Sequence, residues 1–491
     1  MRFHPIFTNA EAKHIDRLST EELGIPEIAL MGSAALSVFH ANEDLWETAE
    51  TILVLVGTGG NGGDGYALAQ ILFQEGHSVQ VFQTAPNKKN AGIFHESLCK
   101  KVGVPIGSIS ELSSYLKTKT KDSVLLVDAL LGIGFNPPLD TQLTSIIELC
   151  NQKKEIFYTI SLDTPSGFIS GMDTICIQAD SIEELGTRKW ENIGYQNPDS
   201  EEPTPRYYES IGFPVRSHIS KLNFQQKFIW EPDHKQAKEK LKRKLNAHKY
   251  KSGSAMFYGG KEGMEGAILL SEKIFSTLGG GITKIGSPSS QIQKLTLSKD
   301  LSRMAASVSF SECIKDSFLE KVSVLVCGPG LTENPEDFSD NLDLGNKTLI
   351  LDAGAIPNSR KRLPTARETL LTPHLGEFSK ITNKSYSRIQ DVYDDICHIC
   401  SEWQVNILVK SHISIYCTKS RECFVFESPN PKLATMGTGD LLTGIVARYI
   451  STGEPLTESV YLALSLFDGV REMDITNPTA GNILEFFKGV V

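Results

Sequence analysis

"GTGGNGGDG", residues 57–65, follows directly after the apolar run "TILVLV" of residues 51–56. The apolar run predicts a buried β-strand, and six glycines in nine residues predict a tight turn from that strand into a helix. Backbone N–H groups at such a turn favour an anion, and a phosphate in particular. The motif also keeps an amide, Asn61, and a carboxylate, Asp64. The stretch therefore predicts a binding site at the carboxyl end of a strand.

Short apolar runs alternate with amphipathic helical patterns from residue 51 to about residue 215. The runs are "TILVLVG", "SVQVFQ", "SVLLVDALLG" and "IFYTISLDTPSG". Runs without polar alternation are typical of strands buried on both faces of a doubly wound parallel sheet, whose ligands bind beyond the carboxyl ends of the strands. Polar residues stand at those ends, and we expect them to share one crevice: Asn61, Asp64, Asp128, Asp163 and Ser166.

A second α/β region follows a polar segment. The alternation fades after "GFPVRS", passes through "WEPDHKQAKEKLKRKLNAHKYKSG", and restarts at "GSAMFYGG" with the runs "VSVLVCGPG", "KTLILDAGA", "ETLLTPHLGE" and "VNILVKS". The Lys and Arg residues of the polar segment are interspersed with glutamate, which favours a solvated linker helix over a nucleic-acid surface. We predict two domains, residues 1–218 and 225–491.

Composition limits the classes of function. The chain has 491 residues, 40% of them hydrophobic, and a net charge of −10, which is typical of a globular protein and argues against a nucleic-acid surface. No apolar window reaches the roughly 18 residues of a membrane span, and the N-terminus lacks a signal-peptide pattern. We expect a cytoplasmic protein without a membrane partner.

The nine cysteines predict reduced thiols, because no disulfide framework is expected in such a protein. One group loosely imitates the spacing of zinc ligands: Cys397, His398, Cys400, Cys417 and Cys423. "DVYDDICHICSEW" has helical apolar spacing, and the second cysteine pair is too widely separated. Buried thiols are the better interpretation.

The strand ends of the first domain predict a cation site with an acid/base beside it. Asn61, Asp128 and Ser166 carry hard oxygen donors, the ligand type of alkali and alkaline-earth cations. Asp163 is then left to donate and accept a proton. The alternative interpretation is that each aspartate caps a following helix.

The most informative stretch of the second domain is "ATMGTGDLLTGIVARYI", residues 434–450. Its glycines precede a helical pattern, so that Gly437, Thr438 and Gly439 are expected to direct N–H groups at an anion. Asp440 follows at once, and a carboxylate beside an anion site is suited to removing a proton from a hydroxyl that receives a phosphoryl group. A simple N-terminal helix cap is the alternative.

The first half resembles the NAD(P)H-hydrate epimerase family through "GGNGGDG", "DALLGIGFNPPL", "SLDTPSG" and "IGFP". The resemblance covers roughly residues 10–215 and implies a Rossmann-like fold that interconverts the R and S hydrates of NADH and NADPH. It implies a potassium site at Asn61, Asp128 and Ser166, with Asp163 at the reacting ring. Two segments are expected to contact the hydrate: Gly60, Asn61, Gly62, Gly63 and Asp64, and then Gly132, Ile133, Gly134, Phe135, Asn136, Pro137 and Pro138.

The second half resembles the ADP-dependent NAD(P)H-hydrate dehydratases, which have a ribokinase-like fold, through "HKYKSG", "GGKEGMEGA", "CGPGL", "LDAGA", "TPHLGE", "LVKS" and "ATMGTGD". The resemblance implies that ADP, with Mg²⁺, phosphorylates the S hydrate, which then loses phosphate. It implies Asp440 as the base and assigns two further groups. The nucleotide site comprises Lys410, Ser411, Gly437, Thr438 and Gly439, and the hydrate contacts are Ala267, Gly330 and His374. The sequence departs from the family pattern at Gly354, Ser411 and Met436.

Together the two resemblances imply a bifunctional repair enzyme that acts on NADH and NADPH hydrates and ADP, and we expect a homo-oligomer. Two other interpretations remain. One is a small-molecule kinase, because the same glycine–aspartate arrangement phosphorylates hydroxyls on ribokinase-like folds. The other is a nucleotide-binding protein in which one half, most plausibly the C-terminal one, has lost catalysis.

Overall fold

The computed structural model describes residues 1–119, 124–200, 202–213, 224, 226–242, 248–250, 252–336 and 338–490. These divide into an N-terminal unit, residues 6–224, and a C-terminal unit, residues 1–5 with 225–491. The predicted division between residues 218 and 225 falls almost wholly in 214–223, outside the described residues, and stays a prediction.

The strands and helices of the first half follow the predicted alternation. The strands are β1 (Phe3–Phe7), β2 (Thr51–Val56), β3 (Val79–Gln83), β4 (Ile106–Ser108), β5 (Val124–Ala129), β6 (Phe157–Leu162), β7 (Ser181–Leu185), β8 (Arg188–Lys189) and β9 (Arg206–Glu209). The α-helices are α1 (Asn9–Arg17), α2 (Glu27–Ala41), α3 (Glu43–Thr48), α4 (Gly60–Gln74), α5 (Asn90–Val102), α6 (Leu112–Leu116) and α7 (Thr141–Gln152).

The N-terminal unit contains a parallel sheet with the strand order β4-β3-β2-β5-β6-β7-β9. The order reverses between β2 and β5, which is the Rossmann-like arrangement and places the switch point beside the glycine motif. All six residues of β2 and of β5 are buried, because helices cover both faces of the sheet. One apolar cluster includes Val54 and Leu68, and the other includes Leu55 and Ile147.

The second half continues the alternation. The strands are β10 (Lys227–Trp230), β11 (Ser254–Tyr258), β12 (Ile282–Ser287), β13 (Met304–Ser307), β14 (Val324–Cys327), β15 (Thr348–Leu351), β16 (Glu368–Leu371), β17 (Asn406–Val409), β18 (Ile413–Cys417) and β19 (Cys423–Glu427). The α-helices are α8 (His234–Leu241), α9 (Glu265–Thr277), α10 (Ile292–Lys299), α11 (Phe310–Ile314), α12 (Leu375–Thr382), α13 (Tyr393–Trp403), α14 (Thr438–Ser451), α15 (Leu456–Asp468) and α16 (Ala480–Lys488).

The sheet of the C-terminal unit has the order β13-β12-β11-β14-β15-β16-β17-β18-β19-β10. The strands from β13 to β17 are parallel, and β18 is antiparallel to both of its neighbours. The strand order again reverses, here between β11 and β14. Helices α14 and α15 are buried over most of their length and pack with α9 in a large apolar core. The switch point therefore lies close to the helix that carries the second glycine motif.

The structure bears on three smaller predictions, which concern the linker helix, the cysteines and membrane spans. The predicted linker helix is α8, which ends at Leu241, and residues 243–247 lie outside the described residues. The nine cysteines are free, and Cys417 Sγ lies 3.6 Å from Cys397 Sγ in the interior. Among the described residues, every helix is too short or too polar to cross a bilayer.

Candidate active sites

A charged cavity of about 790 Å³ lies beyond the carboxyl ends of β2 and β5 in the N-terminal unit. This volume is in the usual range for small-molecule sites. The glycine motif contributes Gly57 to Asn61 and Asp64, and the segment after β5 contributes Leu130 to Phe135. Charged residues from several elements complete the lining: Lys13, Asp16, Glu27, Lys88, Lys89, Asp140, Asp163 and Lys189.

The glycines of the first motif serve close packing as well as ligand access. Helix α4 begins at Gly60, inside the motif, and its first intrahelical bond runs from Gly63 N to Gly59 O at 3.2 Å. A Cβ at Gly62 would lie 2.0 Å from Gly57 O, whereas a Cβ at Gly60 would have nothing within 4 Å. The helix start therefore leaves open space at Gly60 but none at Gly62.

Asn61, Asp128 and Ser166 meet in one buried cluster, as the strand-end pattern predicts. Ser166 Oγ donates to Asp128 Oδ1 at 2.5 Å and accepts from Leu131 N at 2.9 Å, and Ser166 N donates to Asp128 Oδ2 at 2.8 Å. Asn61 Nδ2 donates to Leu131 O at 2.8 Å and to Leu162 O at 3.1 Å. The segment after β5 thus connects all three residues.

Two features of this cluster fit a cation with oxygen ligands. Asn61 Oδ1 is buried and accepts no hydrogen bond within the described part of the chain. Asp128 is 0% exposed, and burial raises the pKa of its carboxyl against the opposing effect of its hydrogen bonds with Ser166. A buried carboxylate needs a compensating charge, and among the described residues none forms a salt bridge with Asp128. The oxygen donors are of the type that hard cations prefer.

Asp163 lies in the same cavity, with its carboxylate held by a lysine. Its Oδ1 forms an ion pair with Lys189 Nζ, and this ammonium also donates to Leu185 O and Thr187 O, both at 2.7 Å. Asp163 has φ +67°, the left-handed region that non-glycine residues rarely adopt. A backbone held in an uncommon conformation at a cavity is an arrangement often associated with function.

The carboxyl of Asp64 is close enough to Asp163 to be affected by it. The pKa of Asp64 is raised well above its usual value, first by burial and then by the negative charge of Asp163. Asp64 is half-buried at the cavity wall. Like charges that share a site disfavour joint ionisation, so the charge of Asp163 adds to the effect of burial on the pKa of Asp64.

The two predicted hydrate-contacting segments are only partly at the cavity surface. Gly60, Asn61 and Asp64 line it, as do the four residues from Gly132 to Phe135. Gly62 and Gly63 are buried in packing contacts instead. Three further predicted residues are exposed and lie outside the lining: Asn136, Pro137 and Pro138.

The second glycine motif forms the start of α14 in the C-terminal unit. Gly437 precedes the helix with φ +93°, a conformation that favours glycine. The first intrahelical bond runs from Leu441 N to Gly437 O at 3.1 Å. The N–H groups of Thr438, Gly439 and Asp440 are therefore free of intrahelical acceptors, and the helix dipole favours an anion beside them.

Asp440 is half-buried in the first turn of α14, and its carboxylate has no hydrogen-bond or salt-bridge partner among the described residues. Its pKa is raised to about 7, first by burial and next by the negative charge of Asp352, against the lowering effect of Lys410. A general base is most effective when its pKa lies near the working pH. A carboxyl with this pKa is partly ionised at neutral pH, which makes Asp440 a candidate base.

The lysine beside Asp440 is already paired. Lys410 Nζ donates to Asp352 Oδ1 at 2.7 Å, and Thr443 Oγ1 donates to Asp352 Oδ2 at 2.9 Å. Asp352 is 3% exposed at the end of β15. A Cβ at Gly439 would lie 3.3 Å from Lys410 Nζ, so that the ammonium lies next to the helix start. The predicted contact of Lys410 with a nucleotide phosphate stays a prediction.

The remaining predicted residues of this unit lie around the same strand ends. His374 is exposed and caps α12, its Nδ1 accepting from Gly376 N at 3.0 Å, while Lys410 N donates to Pro373 O at 2.8 Å. Ser411 Oγ lies 3.1 Å from His412 Nδ1.

Ala267 and Gly330 are brought together by the backbone of Met264. Ala267 N donates to Met264 O at 3.3 Å. Gly330 has φ +75°, and a Cβ there would lie 2.4 Å from the same oxygen. Helix α9, which contains Ala267, also approaches Gly437, because a Cβ at Gly437 would lie 3.0 Å from Leu270 Cδ1. The residues predicted to contact the hydrate and those predicted to contact the nucleotide are thus neighbours.

Sequence reasoning missed two charged residues of these sites. Lys189 lies in the two-residue strand β8, which carries no strand-end signal. Asp352 ends the run "KTLIL" and could have been found by the rule that identified Asp128. Residue 354, where the sequence departs from the family pattern, is glycine for a structural reason. A Cβ at Gly354 would lie 2.5 Å from Glu333 N.

The fold and the two sites define a two-domain α/β enzyme, with a Rossmann-like unit that has a charged cavity and a second unit that has a candidate base at a helix start. Comparisons with known proteins specify the family. Residues 27–189 match the family model described as YjeF-related protein N-terminus, and residues 255–468 match the NAD(P)H-hydrate dehydratase model.

Relatives extend over nearly the whole chain. A bifunctional NAD(P)H-hydrate repair enzyme Nnr from Thermofilum pendens is 27% identical over 93% of this chain and 89% of its own length. The enzyme of that name from Moorella thermoacetica is 27% identical over 99% and 96%. The Bacillus subtilis ADP/ATP-dependent NAD(P)H-hydrate dehydratase, crystallised with ATP and Mg²⁺, is 22% identical, with a TM-score of 0.45 over 52% of this chain and 96% of its own.

The chain belongs to the bifunctional NAD(P)H-hydrate repair enzyme family. Both resemblances inferred from the motifs are confirmed, as is the predicted α/β fold class.

Proposed function

We propose that this chain repairs hydrated NADH and NADPH through two separate sites, an epimerase site at Asp163 and an ADP-dependent dehydratase site at Asp440. The observation that carries the proposal is the state of Asp440. A half-buried carboxylate that has no partner among the residues the structure describes, with a pKa of about 7, lies in the first turn of a helix whose N–H groups favour an anion. Hydroxyl phosphorylation requires a base and an anion site in this arrangement.

In the N-terminal unit, the hydrated ring lies in the charged cavity with its hydroxyl toward Asp163. In its protonated form, Asp163 gives a proton to the departing hydroxyl, so that water leaves, an iminium remains and Asp163 becomes a carboxylate. Water then adds to the opposite face of the ring, and Asp163 takes back the proton. A single carboxylate is sufficient because the return step reverses the departure.

In the C-terminal unit, Asp440 removes the proton of the hydroxyl on the S hydrate as that oxygen attacks the terminal phosphorus of ADP. The N–H groups of Thr438 and Gly439 stabilise negative charge on the transferring phosphoryl group, and AMP leaves. The C–O bond of the phosphorylated hydrate then breaks and the adjacent ring carbon loses a proton, which releases inorganic phosphate and restores the double bond of the reduced nicotinamide.

We propose one ion for each site, and the oxygen donors of the first site fit a bound cation. Asn61, Asp128 and Ser166 would hold K⁺, which would neutralise the buried carboxylate of Asp128 and order the segment after β5. Mg²⁺ would accompany the phosphates of ADP, as is usual for phosphoryl transfer. Ala267, Gly330 and His374 would contact the hydrate, and Lys410 and Ser411 would lie beside the nucleotide.

The test is to incubate the full chain with purified S hydrate, ADP and Mg²⁺, and to follow the absorbance of reduced nicotinamide together with the nucleotide products. The proposal predicts one AMP and one inorganic phosphate for each NADH or NADPH restored. A stable phosphorylated hydrate would identify a kinase instead, and tight ADP binding without turnover would identify an inactive C-terminal unit. The cytoplasmic location and the homo-oligomer remain predictions.

A further inference from the structure

Lys189 is buried at the base of the N-terminal cavity. Only 1% of the residue is exposed. Two carbonyl oxygens, those of Leu185 and Thr187, accept from its ammonium at 2.7 Å, and its third contact is the carboxylate of Asp163. Two backbone hydrogen bonds and the ion pair with Asp163 thus hold the ammonium of Lys189 in place.

The segment that carries Lys189 also holds the backbone of Asp163. Asn192 Nδ2 donates to Asp163 O and to Glu184 Oε1, both at 2.9 Å. Glu184 Oε1 also accepts from Lys189 N at 3.0 Å, and Glu184 is 1% exposed. One buried carboxylate therefore connects the lysine and the asparagine that together fix Asp163 in its left-handed conformation.

The two carboxylate oxygens of Asp163 have different surroundings. Oδ1 contacts Lys189, whereas Oδ2 faces the segment after β5, 3.6 Å from where a Cβ of Gly132 would lie. Gly132 lines the cavity. The lack of a side chain at residue 132 keeps this approach to Oδ2 open.

We propose that Lys189 is a positioning residue for epimerisation, which holds Asp163 through Oδ1 so that Oδ2 alone exchanges the proton with the substrate. The inference rests on the proposed epimerase function. The proton leaves Oδ2 for the hydroxyl as the C–O bond breaks, and it returns to Oδ2 from the water that forms the new C–O bond. Lys189 keeps all of its protons, and its charge balances the carboxylate during the iminium stage.

The test compares Lys189→Met and Lys189→Arg with wild type, using R hydrate in the presence of ADP and Mg²⁺. The same preparations act on S hydrate, which requires only the C-terminal site. We expect Lys189→Met to lower kcat for R hydrate by about tenfold to a hundredfold while KM changes little, because a misplaced reacting group affects the reaction more than binding. Lys189→Arg should recover part of kcat.

Lys154→Met is the matched control. Lys154 forms an ion pair with Asp180 in the same unit and donates to Thr159 Oγ1 at 3.2 Å, away from the cavity lining. Like Lys189→Met, this variant removes the charge of a lysine that pairs with an aspartate in the same unit. We expect it to epimerise at the wild-type rate. Thermal unfolding of both variants shows whether lost activity comes from lost structure.

A double variant keeps the inference testable if Lys189→Met fails to fold. Asp163→Asn combined with Lys189→Met removes both charges and leaves neither one buried alone. If Lys189 acts through Asp163, the double variant is no slower than Asp163→Asn. A further tenfold loss in the double variant would overturn the inference, as would a Lys189→Met variant with wild-type kcat. If wild type acts on S hydrate but never on R hydrate, the epimerase function itself fails instead.

Discussion

In the N-terminal unit, the buried ammonium of Lys189 contacts Asp163, whereas in the C-terminal unit the partly buried ammonium of Lys410 contacts Asp352, and Asp440 has no hydrogen-bond or salt-bridge partner among the described residues. The two sites therefore use one aspartate–lysine contact in different ways. A direct ion pair holds Asp163 in place, whereas burial, and next the negative charge of Asp352, raises the pKa of Asp440 to about 7. The nearest lysine therefore anchors Asp163 directly, whereas Lys410 acts on Asp440 only by lowering its pKa from beside it.

The largest effect that this comparison predicts is that of Asp440→Asn. The substitution keeps the size of the side chain and removes the base, so dehydration of S hydrate should fall by about a thousandfold. The measurement is recovery of reduced nicotinamide with ADP. Asp163→Asn is the matched control and should dehydrate S hydrate normally. Equal losses in both variants would contradict the assignment of separate sites.

Alanine substitutions at the start of α4 should distinguish a glycine that is needed for close packing from one that leaves open space. Gly62→Ala places a Cβ 2.0 Å from a backbone oxygen and should cost at least about 3 kcal/mol of stability, since backbone atoms cannot easily move away. Gly60→Ala meets nothing within 4 Å and should change stability by less than about 1 kcal/mol. The midpoint of thermal unfolding measures both. A stable Gly62→Ala variant would contradict the packing of the motif.

The pH dependence of dehydration should report Asp440. The base is active when ionised, so with a pKa of about 7 the rate should fall as the pH drops below 7 and level off above it. Lys410 lowers this pKa, so Lys410→Met should move the acid side of the profile to higher pH. The measurement is kcat/KM for S hydrate from acid to mildly alkaline pH. A wild-type profile that stays flat down to pH 5 would show that Asp440 is not the titrating base.

The smallest effect should come from Met436→Gly, which restores the family's usual residue. Met436 is 95% exposed, and surface substitutions change stability by less than about 0.5 kcal/mol. Dehydratase activity should change by less than about twofold, which a parallel assay with wild type resolves. A larger gain would indicate that Met436 restricts the second site.

The sequence allowed the strands and their polar ends to be predicted because both depend on local patterns. Continuous apolar runs identified β2, β5 and β6, and the rule for doubly wound sheets led to the cluster of Asn61, Asp128 and Ser166. Parallel strands bring their carboxyl ends to one edge of the sheet, so residues that are far apart in the chain become neighbours.

The charge pairing could not be predicted in the same way. Lys189 follows two buried glutamates in a segment without strand-end signals, and its contact with Asp163 depends on how the chain turns after β7. The contact between Lys410 and Asp352 depends on the side-chain geometry of neighbouring strands. The helix start at Gly60 could not be predicted in detail either, because the glycines suggest a loop, whereas Gly62 is required within the helix by the close approach of Gly57 O.

The most direct test of two independent sites on one chain is complementation between Asp163→Asn and Asp440→Asn on mixed R and S hydrates with ADP and Mg²⁺. Alone, Asp163→Asn should recover only the S fraction and Asp440→Asn almost nothing. Mixed together, the two variants should recover all of the reduced nicotinamide, because each supplies the site that the other lacks. A mixture that recovers no more than Asp163→Asn alone would contradict the account.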